Sequence, residues 1–252
     1  MRKNILLCLL ILAVTGVMKA QPNKKNKNNT SGKKYLEEKH FGTVRQLTFG
    51  GDNAEAYWSF DDKKLVFQAT NSKWNTDCDQ IFIYDLAKTK VKHESPPLVS
   101  TGQGRTTCSY FLPGDTTILY ASTHVHDAAC PHKPPREIDG NYVWPIYDSY
   151  DIFVASLDGK IIKQLTDNPG YDAEATVSPK GDKIVFTSLR TGDPELFTMN
   201  LDGSEVRQVT RELGYDGGAF FHPMEQNWYS GQADQKLPKK LKNTRIFWRR
   251  VW

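Results

Sequence analysis

The sequence predicts an all-β fold, a β-propeller of four-stranded antiparallel blades, and three observations predict it. Short phrases recur along the chain: Gln164-Leu-Thr166, Ser178-Pro-Lys-Gly181, Ile184-Val-Phe186, Leu196-Phe197 and Asp202-Gly203. They recur at a fixed spacing, since Gln208-Val-Thr210 lies 44 residues after Gln164 and Gly214-Tyr-Asp216 lies 44 after Gly170-Tyr-Asp172. The runs between turns are β-branched and aromatic, and too short for helices. A repeat of about 40 to 45 residues holding four short strands is the size of one propeller blade, which cannot bury both its faces without neighbours.

Each element follows from its residues. Ile184-Val-Phe-Thr187 and Leu196-Phe-Thr-Met199 read as the second and third strands of a blade. Pro179-Lys-Gly181 closes the hairpin before the second strand, and Asp202-Gly203, like Asp158-Gly159, closes the one after the third, because glycine supplies the positive φ of a tight turn. Going backwards, Leu98-Val-Ser100 and Ile118-Leu-Tyr120 precede their counterparts at 164 and 184 by 66 residues. Gln46-Leu-Thr48 and Leu65-Val-Phe67 precede them by 118 and 119, and the excess over whole repeats is inserted loop. The blades are expected near 44–87, 96–159, 162–203 and 206–221, about three and a half blades within a propeller domain over 35–221. A generic β-sandwich would supply turns but not this matching register.

The ends read differently. Residues 1–20 carry Arg2 and Lys3, an apolar stretch from Ile5 to Val17, and Ala20 before Gln21, the pattern of a secretory signal peptide cleaved near Ala20. A periplasmic or secreted protein is therefore expected. Cys8 lies inside the apolar stretch, so it is not read as a lipid-anchored cysteine. No other segment approaches the ~20 apolar residues that span a bilayer, so no transmembrane segment is expected in the mature chain. Residues 21–34, rich in Asn and Lys, read as a disordered linker.

The net charge of +4 is unevenly placed. Residues 1–34 hold eight basic and no acidic side chains, and residues 222–252 hold seven basic and two acidic, which leaves 35–221 at minus nine. An acidic repeat region argues against a phosphate-binding surface, and no nucleic-acid partner is expected.

The fourth repeat runs faithfully through Gly214-Tyr-Asp-Gly-Gly-Ala-Phe-Phe221 and then breaks into His222-Pro-Met-Glu-Gln-Asn-Trp-Tyr229. Possible codons read one base out of phase permit Ser-Pro-Asp-Gly-Thr-Lys-Leu-Val-Phe-Arg after Phe221, and Trp228 and Tyr229 force the Leu and Val. Permitted codons continue as Ala-Ser-Arg-Pro-Lys. The expectation is a one-base deletion in the pyrimidine-rich run encoding Phe220-Phe221, a truncated propeller, and an out-of-frame, unstructured tail over 222–252. A divergent natural tail is the alternative.

The Ser-Pro-x-Gly, Ile-Val-Phe, Leu-Phe-x-Met, Asp-Gly and Gln-Leu-Thr series over residues 44–221 resembles the WD-repeat-like propeller repeats (PD40 type) of the TolB-like family. The resemblance implies a secreted or periplasmic propeller, six-bladed when complete. It also implies a scaffold role in an envelope complex with a protein or peptide partner, of the Tol-Pal kind. Related propellers gate peptidases or act as lyases, so the repeat speaks for fold more than for function. No equivalent of that family's separate N-terminal α/β domain is expected in this sequence.

The strand offsets align Glu55, Cys108, Glu174 and Gly218 with one another, and Asn53, Thr106, Asp172 and Asp216 with one another. Alternation along the innermost strand points 172 and 174 the same way, toward the mouth of the central channel. The expected ligand- or partner-binding set at that mouth is Asn53, Glu55, Arg105, Thr106, Asp172, Glu174 and Asp216, joined by Trp144 and Tyr147 of the insertion 123–149. An acidic ring there could hold a cation or a basic peptide segment, or only cap strand ends; no resident cofactor is expected.

The same insertion carries His124, His126, Cys130 and His132, ligand types suited to zinc but at a spacing that matches no standard structural zinc site. Three cysteines remain after signal removal, Cys78, Cys108 and Cys130, an odd number in an oxidising compartment. One disulfide and one free thiol are expected, with the pairing open and Cys78 placed in a loop between strands. No nucleophile elbow, phosphate loop or His-Glu-x-x-His stretch occurs, and a non-catalytic protein is expected. The alternative is a propeller domain of an enzyme, peptidase-gating or metal-dependent and lyase-like, using the His124/His126/Cys130 loop or an acid/base set from Asp148, Asp151, Glu174 and His126.

Overall fold

The structure is a computed structural model that describes residues 39–42, 44–88, 94–135, 137–138, 141–142, 144–222 and 228–232. The expected signal peptide and linker, and the tail beyond 232, lie outside the described residues. Met1–Gln46 is one unit, whose described residues form no helix or strand, and Leu47–Trp252 is the other.

The hairpins form where the repeated phrases place them, and Ser178 shows why its motif recurs. Its hydroxyl accepts the N–H groups of Asp182 and Lys183, both at 3.1 Å, and donates to the Asp182 carboxylate at 2.8 Å. Ser59 holds the first blade's hairpin in the same way, accepting from Lys63 and Lys64 and donating to Asp61 at 2.7 Å. A serine that satisfies two turn N–H groups replaces pairing that strands alone leave open.

Four antiparallel blade sheets and one small two-stranded sheet result among the described residues. The first has β1 (Asp52–Trp58), β2 (Lys64–Asn71) and β3 (Thr76–Asp85), with a bridge from Phe82 to Leu98 in the fourth-strand place. The second has β4 (Thr106–Phe111), β5 (Thr117–Ser122), β8 (Asp151–Ser156) and β9 (Ile161–Gln164); between β5 and β8 the insertion forms its own hairpin from β6 (Glu137–Ile138) and β7 (Asn141–Tyr142). The third has β10 (Asp172–Val177), β11 (Lys183–Ser188), β12 (Glu195–Asn200) and β13 (Arg207–Gln208). The fourth has β14 (Asp216–Phe221) and β15 (Trp228–Gln232).

The Gln-Leu-Thr phrase closes a blade instead of opening one, which shifts the expected boundaries by one strand. The cause is the hydroxyl that ends the phrase. Thr166 accepts the N–H of Ile152 at 2.9 Å, Ser100 that of Ile81 at 2.9 Å, and Thr210 that of Leu196 at 2.8 Å. Each phrase is thereby tied to the third strand of the preceding sheet.

The expected unstructured tail is corrected for five residues. β15 pairs with β14 through Phe221↔Trp228 and Asp216↔Gln232, the register of Val177↔Ile184 and Asp172↔Ser188 moved by one repeat. Backbone pairing along an open strand edge needs no particular side chains, so a segment that has lost the blade phrases still takes the second-strand place.

Sheets stack face to face, each burying apolar residues that it cannot bury alone. Val66, Ile81, Phe111, Ile118 and Tyr120 fill the space between the first and second sheets. Leu119, Ile152, Ile184, Phe186 and Met199 fill that between the second and third, and Val185, Leu196 and Ala219 that between the third and fourth. At about 25 cal/mol per Å² of apolar area removed from water, these seams are the main stabilising contribution.

Candidate functional site

The innermost strand of every blade carries the same irregularity. β1, β4, β10 and β14 each shift register at a bulge, and the residues there, Glu55 (φ 50°), Cys108 (φ 41°), Glu174 (φ 58°) and Gly218 (φ 59°), are left-handed. These are the four positions that the sequence offsets aligned. Bulges re-aim the local backbone and leave an N–H outside the ladder. The freed groups are satisfied from blade to blade: Cys108 N–H donates to Gln68 Oε1 at 3.0 Å, Glu174 N–H is directed at the Cys108 sulfur, and Gly218 N–H donates to Glu174 Oε2 at 2.9 Å.

Glu174 is the knot of this chain. Its Oε2 also accepts from Thr187 Oγ1 at 2.7 Å and from the Tyr215 hydroxyl at 2.5 Å. Burial raises its carboxyl above the usual range, and the Tyr215, Thr187 and Gly218 bonds pull the other way. Glu55 is exposed and accepts from its own blade, from the Tyr57 hydroxyl at 2.5 Å. Burial first, then the Glu55 and Glu174 charges, push the Cys108 thiol well up; it is the free cysteine among the described residues and not a reactive thiolate. Two residues further along the strands lies an aromatic layer, with the Tyr57 and Tyr110 rings 5.4 Å apart and Phe220 5.8 Å from Tyr57.

Other residues expected at the mouth are not open to solvent. Thr106 is buried, its hydroxyl donating to the Asp79 carbonyl at 2.9 Å. Asp172 is 0% exposed and pairs with Arg190 at 3.0 Å, the guanidinium also lying over the Phe186 and Phe197 rings. Asp216 is buried as well. Of the acidic and amide set, Asn53 and Glu55 remain exposed; Asn53 donates to the Gly50 carbonyl at 3.0 Å.

Arg105 serves the insertion. It is buried, ion-paired with Asp79, 3.5 Å from Cys130 Sγ, and under the Tyr147 ring at 5.9 Å. Cys130 is bonded to Cys78, which lies in β3 and not in a loop, so the disulfide ties the insertion of the second blade to the first blade. Tyr147 and Tyr150 pack rings at 6.0 Å, and Tyr150 meets Tyr171 at 5.6 Å. Trp144 and Tyr147 cover a cleft with Gln68, Asp79, Arg105 and Thr106 whose free space is about 20 Å³, room for roughly one water.

The histidine loop is dispersed. Cys130 is spent in the disulfide, His126 Nε2 lies 3.0 Å from Asp151 Oδ2, His124 Nδ1 lies 2.8 Å from Ser122 Oγ, and the His132 carbonyl accepts from Tyr147. Among the described residues no group of three or more His, Cys, Asp or Glu side chains is placed to hold a metal ion. The proposed acid/base set is likewise split: His126 meets Asp151, while Glu174 is tied to Tyr215 and Asp148 is exposed.

Sequence reasoning missed two features. Asp151 and Glu195 open the third strands of their blades and Gln80 lies within that of the first, all three as buried polar residues; Thr166 Oγ1 donates to Asp151 at 3.0 Å and Ser100 Oγ to Gln80 at 2.7 Å. A buried polar residue one repeat apart was a legible signal, but Gln, Asp and Glu do not look alike in a motif. Arg190 was the other, visible only as the partner of Asp172.

Antiparallel four-stranded sheets stacked through their faces, with their innermost strands converging on shared rings and hydrogen bonds, define the β-propeller class. Residues 145–236 match the family described as the TolB beta propeller domain. Among solved structures the chain is similar to TolB from Acinetobacter baumannii, with TM-score 0.53 and 17% identity over 74% of this chain and 39% of that one. It is also similar to a TolB-type protein from Agrobacterium tumefaciens, with TM-score 0.52 and 19% identity over 72% of this chain and 55% of that one. At these identities the likeness is one of fold. The chain thus spans about two fifths and just over half of the lengths of these relatives. No curated protein matches the sequence.

Proposed function

We propose that this chain is a non-catalytic binding scaffold of the cell envelope, secreted to the periplasm or beyond after cleavage near Ala20, and that it engages a protein or peptide partner through the insertion face. The observation that carries this reading is the pinned insertion. A disulfide, a buried Arg105–Asp79 pair and a tyrosine stack hold Trp144 at the surface, 38% exposed, over a cleft too small for a metabolite. A rigid aromatic residue above a closed floor suits a macromolecular surface better than a small-molecule pocket. The disulfide fits an oxidising compartment. Among the described residues no helix is long and apolar enough to cross a membrane.

The truncated state of the gene product belongs to the same reading. A Tol-Pal-like partner is its finer form.

The test is a photo-crosslinking residue placed at Trp144 and, as a control, at the exposed Val206. Envelope fractions should yield a discrete protein adduct from position 144 and none from 206. Equal labelling from both positions, or from neither, sinks the proposal.

A further inference from the structure

The Cys78–Cys130 disulfide has a buried guanidinium against one of its two sulfurs. Arg105, 8% exposed, directs Nη1 to the Asp79 carboxylate and Nη2 to Cys130 Sγ at 3.5 Å, while its Nε has no hydrogen-bond partner. The Tyr147 hydroxyl gives the cation a second oxygen. A disulfide sulfur is neutral and accepts hydrogen bonds weakly, so in the oxidised protein this end of the guanidinium is poorly answered. A thiolate at Cys130 gives it a charge-assisted partner, which stabilises the reduced form.

The two sulfurs are not alike. Cys130 is exposed, whereas Cys78 is 6% exposed and stands between Asp77 and Asp79 in the chain. An incoming thiolate is drawn by Arg105 to Cys130, and is kept from Cys78 by burial and by carboxylates of its own sign. Opening the bond leaves Cys130 in place. Gly104 N–H donates to the Ala128 carbonyl at 2.8 Å, and the Tyr147 hydroxyl donates to the His132 carbonyl at 3.0 Å, so the chain is held on either side of the cysteine.

We infer that Cys78–Cys130 is an exchangeable disulfide, with Cys130 the sulfur that an external dithiol attacks. A thiolate of the dithiol bonds to Cys130 Sγ, the bond to Cys78 breaks, and Cys78 leaves with the electron pair and takes up a proton. The second sulfur of the dithiol then attacks the mixed disulfide and releases Cys130 as a thiolate beside Arg105. The dithiol is oxidised by two electrons to its own disulfide, and the two cysteines are reduced. Reclosure runs the same steps backwards, with Cys130 as the nucleophile toward an oxidised dithiol. The covalent tie between the insertion and the first blade thereby opens and closes with the redox poise of the compartment. Nothing in the exchange depends on what binds the insertion.

The experiment equilibrates the full chain, without denaturant, in buffers of reduced and oxidised glutathione and counts free thiols by gel shift after an acid quench. The parent should become reduced within the glutathione range. Arg105→Gln should lower the equilibrium constant for reduction about tenfold, or ~30 mV for a two-electron couple, and Asp79→Asn should raise it, because the guanidinium then answers Cys130 alone. Both variants break the same ion pair, so mere loosening of the structure would move both toward the dithiol. A third arm leaves Arg105 and Asp79 intact: with oxidised glutathione, Cys78→Ser should take up glutathione on Cys130, and Cys130→Ser should take up none on Cys78. A parent that stays oxidised until urea is added, shifts of the same sign in the two ion-pair variants, or glutathione on Cys78 in preference to Cys130 overturns the inference.

Discussion

Phe220, in the innermost strand of the last sheet, lies 5.8 Å ring to ring from Tyr57, in the innermost strand of the first. The first, second and fourth blades thus meet across a common centre, where Tyr110 joins the same aromatic layer 5.4 Å from Tyr57. Stability, surface and candidate sites all depend on how well that convergence is held, and each holding device can be tested.

The Cys78–Cys130 disulfide closes 52 residues of chain and ties the insertion to the first blade. In the chain-entropy account a loop of that length is worth about 4 kcal/mol. Dithiothreitol should lower the urea midpoint of the parent protein and leave Cys130→Ser unchanged. Under native conditions Cys108 should resist maleimide labelling, since burial holds it as the thiol. Equal sensitivity of both proteins to reductant would show that the bond contributes nothing.

Thr166 holds Ile152 N–H and donates to Asp151, both in buried surroundings. Thr166→Val keeps the shape and removes the hydroxyl, so it should cost about 1–3 kcal/mol, with Thr166→Ser recovering most of it. Chemical denaturation of the three proteins decides the matter; a Val variant as stable as the parent would remove the latch from the account of blade closure.

Gly181 has φ 71°, and a Cβ there would collide with Pro113 Cγ of the neighbouring blade's hairpin. Gly181→Ala therefore meets both a left-handed backbone, costing about 1–2 kcal/mol, and a clash. Gly192, at φ 92° with nothing within 4 Å, isolates the backbone part. Thermal midpoints should fall in the order parent, Gly192→Ala, Gly181→Ala.

The pH response of the buried carboxyls Glu195 and Asp216 has a definite sign. Burial raises the folded-state values of Glu195 and Asp216 above ordinary carboxylate values of about 4. Between the unfolded and the raised folded value the folded protein binds more protons, so the contribution to stability is present below about pH 4 and lost as pH rises through the folded value. Exposed turn aspartates Asp61, Asp158 and Asp202, lowered by hydroxyl and N–H bonds, act in the opposite sense. Asp216→Asn should gain on the parent between pH 4 and pH 7 in urea midpoint. Asp172→Asn should instead lose about 2 kcal/mol at pH 7, because Arg190 is left beside an uncharged amide. Parallel pH curves for Asp216→Asn and the parent would contradict the buried-acid assignment.

The repeat, the hairpin turns and the equivalence of Glu55, Cys108, Glu174 and Gly218 were legible in the chain, because local phrases such as Ser178-Pro-Lys-Gly181 satisfy their own backbone groups and need nothing from afar. The blade boundary was not, since Thr166 looks like the start of the next blade until its bond to Ile152 is seen. Which acids would be exposed was likewise hidden: Asp172 and Asn53 occupy equivalent places, yet one is sealed by Arg190 and the other opens to solvent. The cysteine count allowed three pairings, and only the path of the insertion brought Cys130 to Cys78. What the sequence by itself determined is whatever repeats with the period of the backbone. What the tertiary structure decided is every contact between residues that no period relates, because burial, partner and charge depend on which blade lies alongside.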